Sequence, residues 1–323
     1  MNRFLCGLGV FSVLGLLGAG CVAGAPDESE EEAGVNEAPV GASEILPTGK
    51  GAGVFNNAAL GNGNGNDAKP SGGAKPSTNG ISYHGGPVMT GTINLYYIWY
   101  GNWSGNNATT ILEDLAKNIG GSPYWNINSS YTNAAGTHLS NSVAFGGSTT
   151  DSYSQGSALT DAQIQTIVSS AITANKLPKD TNGIYFVLTS SDVNATSGFC
   201  TKYCGWHTHA TIGGSDIKYS FVGNPDRCPS SCAAQTTSPN GNAGADGMAS
   251  IVAHEAEEAA TDPDLNAWYD NRGYENADKC AWTFGSTYTV ANGSKANMKL
   301  GARDFYIQQN WVNASGGYCA TSY

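Results

Sequence analysis

Thr92-Ile-Asn-Leu-Tyr-Tyr-Ile-Trp-Tyr100 decides how the chain folds. The stretch is rich in β-branched and aromatic residues and is apolar on both faces, the pattern of a strand buried inside a sheet. Gly183-Ile-Tyr-Phe-Val-Leu-Thr189 has the same character. Helical signals lie between the two. Ile111, Leu112, Leu115 and Ile119 recur at helical spacing within Asn107 to Ile119, and Thr160-Asp-Ala-Gln163 is a capping box opening a helix with the stripe Ile164, Ile167, Val168, Ala171 and Ile172. Tyr124 to Phe145 reads as short strands and turns. This order predicts an α/β (α+β) fold with a mixed central sheet and packed helices. Beyond it, Ser197 to Asn242 reads as irregular apart from a short strand at Ile217 to Val222, and Leu265 to Tyr323 reads as loops and short strands.

The chemistry concentrates in Asp246-Gly-Met-Ala-Ser-Ile-Val-Ala-His254-Glu255-Ala-Glu-Glu258-Ala-Ala-Thr-Asp262-Pro263. We read this as one helix, capped by Asp246 and stopped by Pro263. At about 100° per residue, His254, Glu255, Glu258 and Asp262 fall on one arc, while Ala253, Ala256 and Ala260 line the opposite side. The acidic residues crowd the end where the helix dipole is already negative, and a bound cation would reverse that unfavourable placement. His-Glu-x-x-Glu resembles the zinc helix His-Glu-x-x-His, with a carboxylate in place of the second imidazole and Glu255 in the position of the general base that activates water. His254 and Glu258 are therefore candidate metal ligands. A third is expected from the following loop, Glu275 first, Asp278 second and Asp264 as a competitor. Zn²⁺ is the expected ion, and Ca²⁺ in the acidic loop is the alternative. The bland reading is a solvated acidic helix end.

His207 and His209 in Cys204-Gly-Trp-His207-Thr-His209 would share one face of an extended segment. His207 is kept as a candidate catalytic residue beside Glu255. His84 reads as a structural hydrogen-bonding residue, and the tryptophans read as core rather than a sugar-stacking platform.

The chain has 323 residues, 43 of them glycine, a net charge of −11 and a pI near 4.7. No basic stripe exists to neutralise phosphates, so nucleic acid is excluded as an expected partner. Residues 1–21 read as an export signal, ending Leu17-Gly-Ala-Gly-Cys21 in the manner of a bacterial lipobox. Residues 22–80 read as a disordered tether, acidic and then Gly/Asn-rich, with no apolar periodicity by which to dock, and residues 81–323 as a single domain. Leaving aside Cys6 and Cys21, an even set remains: Cys200, Cys204, Cys228, Cys232, Cys280 and Cys319. In an exported chain these predict disulfides, the four middle ones pairing among themselves and Cys280 with Cys319. A tetrathiolate zinc site is the alternative for the middle four.

Several dispersed blocks resemble the Exordium, or phosphate-induced protein 1, family of secreted plant proteins and their bacterial relatives. They are Ile81-Ser-Tyr-His-Gly-Gly-Pro-Val, Ile98-Trp-Tyr-Gly, Phe199-Cys-Thr-Lys-Tyr-Cys-Gly-Trp-His207, Phe221-Val-Gly-Asn-Pro-Asp-Arg-Cys-Pro-Ser-Ser-Cys232, Gly244-Ala-Asp-Gly-Met248 and Thr261-Asp-Pro. The resemblance implies the fold, secretion and disulfides. It implies no catalytic activity, so the metal site stands on its own residues. Together these readings give an extracytoplasmic protein, secreted or lipid-anchored at the bacterial cell surface or outer membrane. The expected activity is metal-dependent, peptidase-like hydrolysis of a peptide or cell-wall substrate. A non-catalytic wall protein that binds polysaccharide or a protein partner is the alternative.

Overall fold

The architecture rests on five strands: β1 (Ile93–Tyr100), β2 (Val143–Asp151), β3 (Gly183–Thr189), β4 (Gly205–Ile212) and β5 (Ser215–Val222). They form one sheet in the order β2-β1-β3-β5-β4. The first four neighbours run parallel, and β4 returns antiparallel beside β5, with His207 opposite Ser220. The computed structural model describes residues 47–50 and 80–323. The export signal, Cys6, Cys21 and most of the tether lie outside the described residues.

Parallel neighbours need crossovers. Helix α1 (Ala108–Asn118) links β1 to β2, and α2 (Asp161–Thr173) links β2 to β3. The apolar stripes of both helices are buried, and the capping box at Thr160 forms with both of its hydrogen bonds. β3 is buried along its whole length and β1 nearly so, as expected of strands covered on both faces.

Two strands correct the sequence reading. β2 occupies part of the segment read as short strands and turns and runs on past it, and β4 lies in the stretch read as irregular. Both are the edges of the sheet.

The long helix α3 (Ala243–Thr261) packs against α1, β4 and β5. Its cap is Asn242, whose side chain accepts the N–H of Ala245 at 3.0 Å. Asp246, expected as the cap, instead sits in the first turn and accepts hydrogen bonds from Ser238 and Asn240. Every residue from Met248 to Thr261 is buried. The solvated-end reading of its acidic arc therefore does not hold.

Three disulfides staple the chain, at Cys200–Cys228, Cys204–Cys232 and Cys280–Cys319. The middle four cysteines thus pair among themselves, and the tetrathiolate alternative is ruled out. After α3 the chain runs through loops and short hairpins such as Met298–Leu300 with Arg303–Phe305. No helix among the described residues is long and apolar enough to cross a membrane.

One stretch of the tether departs from expectation. Residues 47–50 lie against the domain, and the N–H of His207 in β4 donates to the carbonyl of Gly49 at 2.8 Å. A β-carbon on Gly49 would stand 2.0 Å from the His207 carbonyl oxygen, so glycine is what permits the approach.

Candidate metal centre

Helix α3 brings His254, Glu255 and Glu258 onto one side, where edge strand β4 delivers His207 and the loop after the helix delivers Glu275 and Asp278. The strand seats closely because residue 205 is glycine. A β-carbon there would lie 2.5 Å from Ile251 Cγ2 and 3.0 Å from Glu255 Oε1. The loop is held from two sides. Asp270 accepts the N–H groups of Arg272 and Tyr274 and pairs with Lys279 at 3.3 Å, while Cys280 is bonded to Cys319.

Glu258 is the pivot. Its Oε1 lies 3.0 Å from His254 Nε2 and accepts the N–H of Asp278 at 3.0 Å, and its Oε2 lies 3.5 Å from His207 Nδ1. Around it are two three-residue sets whose donor atoms lie within 4.8 Å of one another: His254, Glu258 and Asp278, and His207, Glu255 and Glu258. His254 Nε2 is 3.5 Å from Asp278 Oδ1, and His207 Nδ1 is 3.6 Å from Glu255 Oε2. Glu275 joins from the far side, its Oε1 lying 3.4 Å from His207 Nε2. Of the residues singled out in the sequence, His254, Glu255, Glu258, Asp278, His207 and Glu275 converge. Asp264 does not, because it lies beside His209 and Lys218.

These groups are buried and poorly satisfied. His207 Nδ1, both ring nitrogens of His254, Glu255 Oε2, Glu258 Oε2, Glu275 Oε1 and Asp278 Oδ1 have no hydrogen-bond partner among the described residues. An unpaired buried polar atom costs about 1–3 kcal/mol, and more when charged. Two like charges about 4 Å apart repel by about 4 kcal/mol at an effective dielectric of 20. Converging orphan atoms of this kind fit a cation between them. The donor set of imidazole nitrogens and carboxylate oxygens is one that Zn²⁺ accepts.

The protonation pattern of the cluster follows from the same crowding. Burial pushes Glu255 up to about 7, against the opposing pull of His207 and His254. Burial also acts to raise Glu258, but the charges of His254 and His207 outweigh it and hold the group down at about 2. Asp278 rises to about 6 through burial and the neighbouring Glu258, and burial lifts Glu275 well above the carboxylate range. Burial disfavours the charged form of both histidines, yet the surrounding carboxylates, Glu275 foremost for His207 and Glu258 for His254, raise them well above the usual imidazole value. Protonation thus offsets the negative charge that the crowded carboxylates would otherwise carry.

A second set, His209, Asp216 and Asp264, is also close enough to hold an ion. There the Lys218 ammonium pairs with Asp216 and lies 3.4 Å from Asp264 Oδ1, so a cation is already built in. His84 hydrogen-bonds to Ser82 and the Tyr269 carbonyl and stacks on the Tyr269 ring at 3.7 Å. Trp99, Trp125 and Trp206 are core.

The centre is reached from a cavity. A small open cavity is lined by Tyr203, Gly205, Ile251, His254, Glu255 and, from the tether, Lys50. Sequence reasoning missed the last of these, since a short polar segment docked mainly through backbone and one ammonium carries no apolar period.

Comparison with known proteins adds the lineage. The model of the phosphate-induced protein 1 conserved region matches residues 81–300. The chain is 33% identical over 278 residues to Protein EXORDIUM-like 3 of Arabidopsis thaliana, covering 74% of this chain and 82% of that protein. It is 34% identical over 272 residues to Protein EXORDIUM-like 5 of the same plant, covering 72% and 75%. Protein PHOSPHATE-INDUCED 1 of Nicotiana tabacum is 27% identical over 223 residues, covering 60% of this chain and 69% of that protein. No solved structure matches. The three disulfides fit an extracytoplasmic location. With the family model spanning residues 81–300, the chain belongs to the phosphate-induced protein 1, or Exordium, family.

Proposed function

We propose that this exported protein is a metal-dependent hydrolase of peptidase-like chemistry, with Zn²⁺ held by His254, Glu258 and Asp278. The observation that carries the reading is the convergence of His254 Nε2, Glu258 Oε1 and Asp278 Oδ1 within 4.8 Å of one another in a buried place where neighbouring polar atoms lack partners. Zn²⁺ in such a set supplies Lewis acidity toward a carbonyl oxygen and makes water more acidic.

The remaining roles belong to the chain. Glu255 is one residue from His254 and lines the open cavity, so its carboxylate is placed to take a proton from water and return it to a leaving amine. His207 is buried behind it and faces both Glu255 and Glu258, which makes it a positioning residue for the base and the ligand. The other nitrogen of that ring is hydrogen-bonded to the Asp262 carbonyl at 3.3 Å, which orients it, and Glu275 Oε1 lies 3.4 Å away. Lipid attachment at Cys21 after cleavage of the leader is part of the same reading, and palmitate labelling of the wild type but not of Cys21→Ser tests it.

The test is metal analysis of the purified full chain together with Glu255→Gln. We expect one zinc per chain in both proteins, with peptide hydrolysis reduced at least about 100-fold in the variant, as befits loss of a general base. Absence of stoichiometric metal, or undiminished hydrolysis in Glu255→Gln, sinks the reading and favours a non-catalytic wall protein.

A further inference from the structure

Residues 47–50 dock beside the cavity lined by His254 and Glu255, and Lys50 forms part of its wall. Gly49 accepts a backbone hydrogen bond from His207, the residue whose ring stands in the cluster. The segment turns at Gly49, whose φ is +64°, and holds the strand edge through this one backbone bond, so the side-chain pocket carries most of the recognition. β4 is an edge of the sheet.

The pocket for the next side chain is equally specific. The Lys50 ammonium bonds to Asp161 Oδ2 at 2.7 Å and Ser197 Oγ at 3.3 Å, and lies 5.0 Å from the ring centre of Tyr203 and 5.5 Å from that of Trp206. An acid, a hydroxyl and two aromatic faces form a site for a cation on a long stem. Asp161 and Ser197 also bond to each other, and Ser197 to Tyr203, so the pocket walls are tied together. Pro47 and Gly49 are buried, while Thr48 points to solvent.

We propose that the edge of β4 and the Asp161–Ser197–Tyr203–Trp206 pocket form a subsite for a peptide segment carrying lysine or arginine directly after a glycine, and that Pro47–Lys50 of the chain itself fills it. The tether thereby acts as a built-in occupant that shields His254 and Glu255 until it is displaced or cut. The proposal deepens the peptidase reading and rests on it for the meaning of the site, although the subsite itself binds without metal. Being covalently attached, the segment competes at a high effective concentration, so a free peptide gains access only when the segment is dislodged.

The full chain tests this. Gly49→Val places a β-carbon where the His207 carbonyl lies, at a position outside the domain core, and so releases the segment without altering the pocket. A fluorescein-labelled peptide of residues 46–51 is expected to bind Gly49→Val at least tenfold more tightly than wild type, by fluorescence anisotropy. Replacing the peptide's lysine by glutamate, or combining Gly49→Val with Asp161→Asn, is expected to lose at least tenfold of that binding. Equal binding to wild type and Gly49→Val, or indifference to the lysine, overturns the proposal. Trypsin cleavage after Lys50 in the full chain provides a second readout, and is expected to be faster in Gly49→Val and Asp161→Asn; unchanged rates overturn it too. Zinc content of the same samples separates the two claims. Metal-free protein that shows the tenfold gain keeps the subsite and loses the hydrolase, whereas zinc-loaded protein without the gain loses the subsite alone.

Discussion

Gly205 and Glu255 stand so close that a β-carbon on the glycine would come within 3.0 Å of the carboxylate oxygen, while also meeting Ile251 Cγ2 at 2.5 Å and the Phe221 carbonyl at 3.0 Å. The seating of β4 on α3 therefore sets the position of the proposed base. Gly205→Ala must push the strand off the helix or displace the side chains. Overpacking of this kind costs about 1–3 kcal/mol. The expected outcome is a lowered Tm and loss of hydrolysis out of proportion to it. A variant with wild-type Tm and rate refutes the close-seating argument.

The ligand ranking can be tested by zinc affinity. Asp278 presents Oδ1 to the nitrogen of His254 that also faces Glu258, whereas Glu275 faces His207. Asp278→Asn is expected to weaken zinc binding more than Glu275→Gln, for which loss of an outer partner predicts about a 10- to 100-fold effect. Competition with a chelator of known affinity measures both. The reverse order moves the metal toward the His207 side of Glu258.

Several of these elements are legible in the sequence, and for identifiable reasons. β1 and β3 are covered on both faces, so their apolar runs are continuous, and α2 carries its capping box in four consecutive residues. β2 and β4 are edges. Along β4 only Gly205–His207 and Ile212 are buried, and its glycine, threonines and histidines leave little apolar signal, while Gly146 and Gly147 dilute β2. His254, Glu255 and Glu258 are legible because a helix brings residues one turn apart together. His207 joins them only through strand pairing, and the choice between Glu275 and Asp278 depends on a loop whose path is set by Asp270 and the Cys280–Cys319 bond. No local pattern encodes either relation.

That loop also makes the domain sensitive to acid. Burial acts to raise the Asp270 carboxyl, but the N–H groups of Tyr274 and Arg272 and the charge of Lys279 outweigh it and leave the group below its ordinary value of 3.8. A carboxyl depressed in the folded state contributes stability that is present above 3.8 and is lost as pH falls through the lower folded value. Wild-type protein should therefore lose this contribution progressively as pH falls below 3.8, and Asp270→Asn should remove this part of the pH dependence. Because Lys279 and Asp270 are both about 3% exposed, the variant leaves a buried ammonium without its counter-charge, costing about 3 kcal/mol at neutral pH. Urea unfolding at pH 7 and pH 3.5 measures both effects. A variant as stable as wild type at pH 7 rules out this role.

The Cys280–Cys319 bond closes a sequence separation of 39 and ties the end of the Asp278 turn to the last hairpin. Chain-entropy arithmetic for a loop of that length gives about 4 kcal/mol of stabilisation. The paired variant Cys280→Ser with Cys319→Ser should lose about that much in urea unfolding, and should lose zinc before it unfolds, because Asp278 lies two residues from the released cysteine. The pairs Cys200–Cys228 and Cys204–Cys232 tie the segment before β4 to the segment before α3, and removing either should leave zinc loss and unfolding together. Zinc titrations across the urea transition distinguish the cases. If metal loss and global unfolding coincide in the variant, the disulfide stabilises the domain as a whole and does not specifically hold the ligand loop.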